Sequence, residues 1–408
     1  MTAARCVVVG GGPGGMLLSY LLARAGVPVS LVEAHRDFDR DFRGDSLHPW
    51  TLELLDRLGL AEDLLALPHY RARYFRFHTP AGRVTTADYG GLRSPFPFVA
   101  LMPQARFLDF LADRAAALPA FELRLGAMVN GPLQDDDGAV VGVRYRDPDG
   151  ARVELPGRLV VAADGRFSKM RRLAEIPATS LGAQSDLLWF RLPRRPDDPP
   201  EADVDLYFGA HHYVGLLGGT EDWQVGYSLP KGGFAAVRAA GVEPIRRFLA
   251  EHVGWLADRA HLLVDMNQAT LLSVEISRVA QWHRPGLLLV GDAAHVISPV
   301  GGNGILMAAQ DAVAAANRLV PALRADTLTQ ADLAAVQGDR EQAIRRVQAQ
   351  QVRIERRVAR ARERGRPIAP PALLRVVTAL PGVRTRAARA NAYGPNPPQL
   401  AIDLEDPR

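Results

Sequence analysis

The stretch CVVVGGGPGGMLLSYLLARAGVPVSLVEAHR, residues 6–36, decides the fold. Its β-branched run at residues 7–9 is typical of a buried strand, and the leucines at residues 17–22 recur at the spacing of a helix. A second apolar run at residues 29–32 predicts another strand. The order strand, glycine turn, helix, strand predicts the β-α-β unit of a dinucleotide-binding α/β fold.

The glycines of the turn have separate physical roles. Gly10 makes the tight turn, Gly12 has no Cβ to keep a pyrophosphate from the backbone, and Gly15 lets the helix pack close to the strand. The helix N-terminus then offers exposed amides to phosphate. Glu33 stands close to the offset of about 20 residues at which an acid binds ribose hydroxyls. FAD and NAD(P) both fit this turn.

Length and composition indicate a globular protein. The 408 residues predict about two to three domains, and no apolar run approaches the roughly 20 residues of a membrane span. The N-terminus enters a strand without a signal-peptide pattern, so we expect a cytoplasmic protein. Cys6 is the single cysteine, which excludes an intrachain disulfide and a cysteine metal cluster. The net charge of +4 comes from dispersed arginines without a stacking motif, which argues against nucleic-acid binding.

The remaining chain predicts a nucleotide-binding portion interrupted by a second sheet. Residues 51–67 have the pattern of one helix, and residues 70–89 that of a hairpin turning at residues 80–82. Short strands at residues 186–229 predict a mostly antiparallel sheet. Beyond Leu328 the chain is predicted to be helical, with arginines on a solvated face and one apolar stripe of Leu333, Val336, Ala343, Val347, Ile354, Val358 and Ala361.

Two later motifs favour FAD over NAD(P). The stretch VVAADGRFSKMRR occupies residues 160–172, and GLLLVGDAAHVISPVGGNG occupies residues 286–304. A carboxylate at a strand end, here Asp292, accepts hydrogen bonds from vicinal hydroxyls, and the following glycines place bare backbone against a flat ring. A helix starting near Ile305 would direct its positive end at the pyrimidine edge of that ring. NAD has no such edge.

In this order the three motifs resemble those of the class A FAD-dependent monooxygenases, the p-hydroxybenzoate hydroxylase-like aromatic hydroxylases, over essentially the whole chain. The resemblance implies an α/β fold with a Rossmann-like FAD-binding domain, an inserted antiparallel substrate sheet and C-terminal helices. The expected divisions are residues 1–72, 100–180 and 266–326 for FAD, residues 73–99 and 181–265 for substrate, and residues 327–408 for the helical region.

The implied activity is hydroxylation of an aromatic small molecule, phenolic or polycyclic, with NAD(P)H and O2 as co-substrates and a flavin C4a-hydroperoxide as the oxygen donor. The cofactor then carries the difficult step, so no catalytic triad is expected, and His295 is expected to be structural. The oligomeric state is not predicted.

The resemblance also implies roles for individual residues. Glu33 is expected to bind the adenosine ribose, Arg43 to lie beside the flavin, and Asp292 to bind a ribityl hydroxyl. Asp164 and Gly165 form a motif that serves both FAD and NAD(P)H. The expected cofactor-binding set is Gly10, Gly12, Pro13, Gly14, Gly15, Glu33, Ala34, Arg43, Gln104, Arg106, Val129, Asp164, Gly165, Asp292, Pro299, Gly301, Gly302, Asn303, Gly304 and Ile305.

Aromatic side chains of the inserted sheet are the candidates for the substrate pocket. Those singled out are Trp189, Phe208, His212, Tyr213 and Tyr227, from a larger set that also contains Phe190, Tyr207, His211 and Trp223. Because side chains alternate along a strand, about half of the set should face away from the pocket.

One position departs from the family pattern, and other functions remain open. Relatives commonly end the glycine loop with Gly-x-Asn, whereas Leu306 stands at the place of that asparagine and cannot supply a side-chain amide. A halogenase, an FAD-dependent reductase or a non-catalytic flavin-binding protein would share the fold, although the halogenase element Trp-x-Trp-x-Ile-Pro is absent from the sequence.

Overall fold

The computed structural model describes residues 6–39, 45–79, 82–200, 203–299, 301–365, 368 and 373–404. These residues form a mixed α/β structure with two large sheets. Within the described ranges, no helix has the length and apolar character needed to cross a membrane.

The first sheet is built from the N-terminal strand outward. Cys6 pairs in parallel with Val29 on one side and with Leu159 on the other. Its four inner strands are almost wholly apolar, as expected for a parallel sheet covered on both faces. In the described chain the strand order is His283–Arg284, Leu287–Leu289, Leu159–Ala162, Cys6–Val9, Val29–Val32 and Phe121–Arg124, and only the first pair is antiparallel.

The second sheet is largely antiparallel, as predicted. In the described chain its strand order is Thr270–Leu272, Ser185–Pro193, Asp222–Pro230, Tyr213–Gly218, Val204–Phe208, Tyr74–Thr79 and Gly82–Asp88. Only Val204–Phe208 and Tyr74–Thr79 pair in parallel. The strand Thr270–Leu272 joins this sheet by pairing with Ser185–Pro193, although the sequence placed residues 266–326 with the nucleotide-binding portion.

Three small sheets complete the strands of the described chain. They comprise Met128–Gln134, Val140–Arg146 and Arg152–Pro156; Ala178–Ser180, Ser277–Val279 and His295–Val296; and Ser46–Leu47, Tyr70–Ala72 and Val99–Leu101.

Helices cover both large sheets. The helix that follows the glycine turn packs against the helices Gln104–Ala116 and Gly304–Arg324. The α-helices of the described chain are Pro13–Arg24, Pro49–Arg57, Ala61–Ala66, Gln104–Ala116, Lys169–Leu173, Phe234–Ala240, Glu243–His252, Gly304–Arg324, Gln330–Glu363, Leu373–Ala379 and Val383–Tyr393. Its 3-10 turns are Tyr89–Gly91, Gly254–Leu262, Met266–Gln268 and Gly291–Ala293.

Two helix predictions need correction. Residues 51–67 form two helices, Pro49–Arg57 and Ala61–Ala66, because Gly59 adopts a left-handed conformation with φ of 73° between them. In the helix Gln330–Glu363, Leu333 and Val336 are buried as predicted, but Ile354 is 41% exposed. Pro80 and Ala81, at the predicted hairpin turn, lie outside the described residues.

Candidate active site

A cavity of about 500 Å³ brings together segments from both ends of the chain. It extends from the glycine turn at residues 10–15 to the second large sheet. Seventeen of the twenty residues predicted to bind the cofactor line it, namely Gly10, Gly12, Pro13, Gly14, Gly15, Glu33, Ala34, Gln104, Val129, Asp164, Gly165, Asp292, Pro299, Gly301, Gly302, Gly304 and Ile305.

The glycine turn is closely packed on one side and open on the other. A Cβ on Gly15 would overlap the backbone carbonyl of Gly10, so the helix Pro13–Arg24 lies directly against the turn. A Cβ on Gly12 would meet no protein atom within 4 Å. The cavity is therefore open to a large group at the backbone of Gly12, at the N-terminus of a helix.

Glu33 lies at the end of the strand Val29–Val32 and is oriented by the backbone. Its Oε2 accepts a hydrogen bond from the Gly11 amide at 2.7 Å, and its Oε1 accepts one from the His35 amide at 2.9 Å. The carboxylate is thereby held at the cavity wall beside the glycine turn.

Asp164 is the most direct evidence for a polar ligand. Its Oδ2 accepts hydrogen bonds from the amides of Lys169 and Met170 at 2.7 and 3.0 Å. Its Oδ1 is buried and has no hydrogen-bond partner among the residues that the structure describes. A buried oxygen without a partner costs free energy, so a donor from a bound ligand is expected here.

A buried ion-pair network supports the loop that carries Asp292. Asp311 accepts hydrogen bonds from the Gly291 amide at 3.0 Å, from His295 Nε2 at 2.6 Å and from Arg340 Nε at 2.8 Å. Burial alone would raise the pKa of Asp311, but His295 and Arg340 outweigh it and hold that pKa below its usual value. Arg340 was not predicted as a site residue, because it lies on the helix expected to have a solvated arginine face.

Pro299 and residues 301–305, here called the head-group loop, form the other end of the cavity wall. Gly301 and Gly302 have φ of 101° and 68°, which favours glycine, and the helix Gly304–Arg324 starts directly after them. Leu306 is fully buried in the main core and contributes no polar group.

Two of the predicted cofactor residues that the structure describes, Arg106 and Asn303, do not line the cavity. The Arg106 side chain instead donates a hydrogen bond to the Pro68 carbonyl at 2.5 Å. Asn303 immediately precedes the helix Gly304–Arg324 without lining the cavity. Arg43 lies outside the described residues.

The second sheet forms the opposite wall, and strand alternation selects which candidates face the cavity. Trp189 and Tyr213 line it. Tyr227 faces the other side of the sheet, in a core cluster with Tyr207, Phe190 and Trp223. The cavity wall also includes Leu187, Leu206, Gly215, Leu217, Gln224 and Gly226.

The structure does not bring Phe208 and His212 to the cavity either. Phe208 packs edge-to-face on Phe77, with ring centroids 5.2 Å apart. His212 stacks on Tyr227 and makes a hydrogen bond through Nδ1 to the Ser228 carbonyl at 2.6 Å. Both side chains are therefore occupied by contacts within the sheet. His211 is exposed.

Sequence reasoning missed a group of polar residues between the head-group loop and the sheet. Asp45 is hydrogen-bonded to Gln224, and its Oδ1 accepts a hydrogen bond from the Gln104 amide at 3.1 Å. Burial raises the pKa of Asp45 to about 6, although both hydrogen bonds favour the charged carboxylate. The available signal was a pair of polar residues, Asp45 and His48, on either side of Ser46 and Leu47.

His48 joins this polar group to the head-group loop. Its Nε2 donates to the Gly302 carbonyl at 3.2 Å, and burial lowers its pKa to about 4. The ring is therefore neutral near pH 7. Tyr89 and Asn391 line the cavity nearby and are hydrogen-bonded to each other at 2.7 Å.

The cavity fits FAD. It combines an open glycine turn, a carboxylate at a strand end, an unpartnered buried oxygen on Asp164 and a flat wall of glycine backbone, along one continuous surface. Among the described residues, no group of three or more His, Cys, Asp or Glu side chains has a metal-binding arrangement.

Comparisons with known proteins agree with this assignment. A family model described as "FAD binding domain" matches residues 3–350. A 6-methylpretetramide 4-monooxygenase of Streptomyces rimosus is 33% identical over 401 residues, which are 97% of this chain and 94% of that protein.

A second relative is the 12-dehydrotetracycline 5-monooxygenase/anhydrotetracycline 6-monooxygenase of Streptomyces rimosus subsp. rimosus. It is 29% identical over 325 residues, 75% of this chain, and the matched region spans 60% of that protein's length. The crystal structure of PqsL, a probable FAD-dependent monooxygenase from Pseudomonas aeruginosa, has the same fold, with a TM-score of 0.76 at 21% identity over 89% of this chain and 99% of that one. The chain therefore belongs to the FAD-binding-domain family and is a flavoprotein monooxygenase.

Proposed function

We propose that this monooxygenase hydroxylates a polycyclic phenolic compound bound between the head-group loop and the second sheet. The observation that carries the proposal is the continuity of the cavity from Gly12, past Gly302, to Trp189 and Tyr213. One end offers glycine backbone and carboxylates, and the other offers aromatic and apolar side chains. Such a cavity accommodates a long polar cofactor and an apolar substrate side by side.

At the cofactor end, the chain's own groups account for binding. Glu33 binds the ribose, the backbone at Gly12 faces the pyrophosphate, and Asp164 and Asp292 accept hydrogen bonds from hydroxyl groups. Bound FAD supplies the redox and oxygen-activating chemistry that side chains lack. NAD(P)H is the reductant that this activity requires.

At the substrate end, the sheet provides a flat apolar wall. Gly215 is flanked by Leu206 and Leu217, and a Cβ on Gly215 would meet no atom within 4 Å. The absence of a side chain there leaves room for a broad ring system against the strand. The two Streptomyces relatives, one of them named for a tetracycline, favour a polycyclic substrate over a single ring.

The polar group between the two ends binds the phenolic hydroxyl. Asp45 and Gln224 both line the cavity and are hydrogen-bonded to each other, so they present an acceptor and an amide to the same point. With a pKa of about 6, the Asp45 carboxylate is charged at neutral pH and accepts the phenolic proton. Removal of that proton increases the electron density of the ring at which oxygen is delivered.

The roles proposed for the segments of the chain follow the predicted domain boundaries. Residues 1–72, 100–180 and 266–326 hold FAD, the sheet at residues 73–99 and 181–265 holds the substrate, and residues 327–408 cover both. The strand Thr270–Leu272 is the exception, since it belongs to the second sheet.

The test is a coupled assay on purified protein. The protein is expected to show a flavin absorption spectrum, and NADPH or NADH should bleach it faster with a polycyclic phenol than with a single-ring phenol. Consumption of reductant and O2 should be stoichiometric with product, and one oxygen atom from labelled O2 should appear in it. A halide-dependent product, oxygen-independent reduction of the substrate, or equal rates without any aromatic compound would contradict the proposal.

A further inference from the structure

Asn391 is a cavity residue that no motif indicated. It lies on the helix Val383–Tyr393 and lines the cavity beside the head-group loop. Its Oδ1 is 3.8 Å from the position that a Cβ on Gly301 would take. The amide therefore faces the space bordered by the glycine backbone of that loop.

The orientation of this amide is fixed by a buried tyrosine. Asn391 Nδ2 donates a hydrogen bond to the Tyr89 hydroxyl at 2.7 Å, and Tyr89 is only 3% exposed. With Nδ2 engaged, Oδ1 is the atom available to a ligand, and in the described part of the chain no residue donates a hydrogen bond to it.

The helix that carries Asn391 is held in place on several sides. Ala388 and Ala392 are fully buried in a core cluster that includes Tyr89. The Tyr393 hydroxyl donates to Glu53 Oε1 at 2.5 Å, and Gln310 Nε2 donates to the Tyr393 carbonyl at 2.7 Å. A polar group on an element fixed in this way is preorganised for its ligand.

Neither the head-group loop nor the first turn of the helix that follows it presents a side-chain amide to the cavity. Leu306, at the position where relatives commonly have asparagine, is fully buried among apolar side chains. Asn303 has its Nδ2 3.7 Å from the same Gly301 position, but it does not line the cavity. Asn391 is thus the side-chain amide that the cavity presents beside Gly301.

We propose that Asn391 is a cofactor-binding residue whose Oδ1 accepts a hydrogen bond from the ring N–H of FAD, in place of the amide missing at Leu306. The proposal rests on the assignment of this end of the cavity to the flavin ring under the proposed function. A neutral acceptor from the C-terminal helix then fixes the tilt of the ring relative to the head-group loop.

The test compares Asn391→Leu with Asn317→Leu as a matched control. Asn317, on the helix Gly304–Arg324, also makes hydrogen bonds to the C-terminal segment, at Gln399 and Ala401, but does not line the cavity. Titration of apo-protein with FAD should give a dissociation constant about tenfold higher for Asn391→Leu and unchanged for the control. The visible flavin spectrum of Asn391→Leu should shift as well.

The FAD affinity and the flavin spectrum of Asn391→Leu together decide whether this residue binds the cofactor. An FAD dissociation constant within twofold of wild type, with an unshifted spectrum, would overturn it. A raised KM for the aromatic substrate with unchanged FAD affinity would assign the amide to the substrate, overturning this inference while the proposed function stands. Weakened FAD binding in a protein that hydroxylates no aromatic compound would support the inference while the proposed function fails.

A second variant covers a folding defect in Asn391→Leu. Tyr89→Phe keeps the amide but removes the hydroxyl that orients it, so FAD should bind about threefold more weakly with a changed spectrum. Unchanged FAD affinity and an unchanged spectrum in Tyr89→Phe would count against Asn391 as a fixed acceptor.

Discussion

Gly12 and Gly15 belong to the same turn, but a methyl group would have opposite consequences at the two positions. At Gly15 it would overlap the carbonyl of Gly10, whereas at Gly12 it would project into the cavity without touching protein. Gly15 is therefore required by the protein's own packing. No protein contact requires a glycine at Gly12, so under the proposed function the two substitutions separate folding from cofactor binding.

The corresponding prediction concerns Gly12→Ala. The variant should fold with an unchanged Tm as apo-protein but bind FAD at least about tenfold more weakly, because the methyl group occupies the space of the pyrophosphate. Gly131→Ala is the control, since Gly131 also has open space around it but lies outside the cavity. Calorimetric titration gives the affinities. Wild-type affinity in Gly12→Ala would refute the placement of the pyrophosphate.

Asp45 predicts a pH dependence of stability. Its folded-state pKa of about 6 lies above the ordinary value of 3.8, so the folded protein binds this proton more tightly than the unfolded chain does. The resulting stabilisation is complete below pH 3.8 and is lost as the pH rises through 6. Asp45→Asn cannot lose a proton, so it is free of this dependence.

Between pH 4 and 7, the free energy of unfolding of the wild type should fall relative to Asp45→Asn by about 2 kcal/mol. Urea unfolding of apo-protein at a series of pH values measures this difference. The exposed Asp149→Asn variant should follow the wild type at every pH. A constant difference between wild type and Asp45→Asn would show that Asp45 has an ordinary pKa.

At the scale of elements, the long helix Gln330–Glu363 has a structural role that its composition conceals. Most of its arginines are exposed, but Arg340 is fully buried and paired with Asp311 beneath the loop of Asp292. The helix thus supports the cavity wall at Asp292, because Arg340 holds Asp311 and Asp311 holds the Gly291 amide. The sequence does not show which arginines of this helix are buried. The partner of Arg340 is Asp311, which lies 29 residues away on another helix.

Arg340→Leu should therefore be far more destabilising than a change at an exposed arginine of the same helix. Loss of the guanidinium leaves the buried Asp311 carboxylate without its arginine partner, which should lower the free energy of unfolding by about 3–5 kcal/mol. Arg346→Leu, on the exposed side, should change it by less than about 0.5 kcal/mol. Denaturant unfolding compares the two. Similar effects would mean that the network does not stabilise the fold.

At the scale of the whole molecule, the cofactor site is shared between segments far apart in the chain. The parts that could be predicted are short patterns in which a strand, a turn and a helix follow one another, as at Gly12, Asp164 and Asp292. Three cavity residues could not be predicted: Asp45, Gln224 and Asn391. Asp45 and Gln224 are hydrogen-bonded although they are 179 residues apart in the sequence, and Asn391 lies on a separate helix. Which aromatic side chains face the cavity likewise depended on the register of the sheet.

Because both sheets line the cavity, FAD should stabilise both. At 100 times its dissociation constant, FAD should add about 2.7 kcal/mol to the free energy of unfolding and raise the Tm by several degrees. Hydrogen exchange should slow in Cys6–Val9 and also in Tyr213–Gly218 when FAD is added. If hydrogen exchange slows only in Cys6–Val9, the cofactor does not stabilise the second sheet.

The central position of the first strand has a consequence for biosynthesis. Cys6–Val9 leaves the ribosome before its neighbour Leu159–Ala162, which lies about 150 residues later and follows after about 8–30 seconds at about 5–20 residues per second. The nascent chain must shield an apolar edge for that time. The cavity is complete only after translation has delivered Gly302 and Asn391, so the prosthetic group can be enclosed only at a late stage of synthesis.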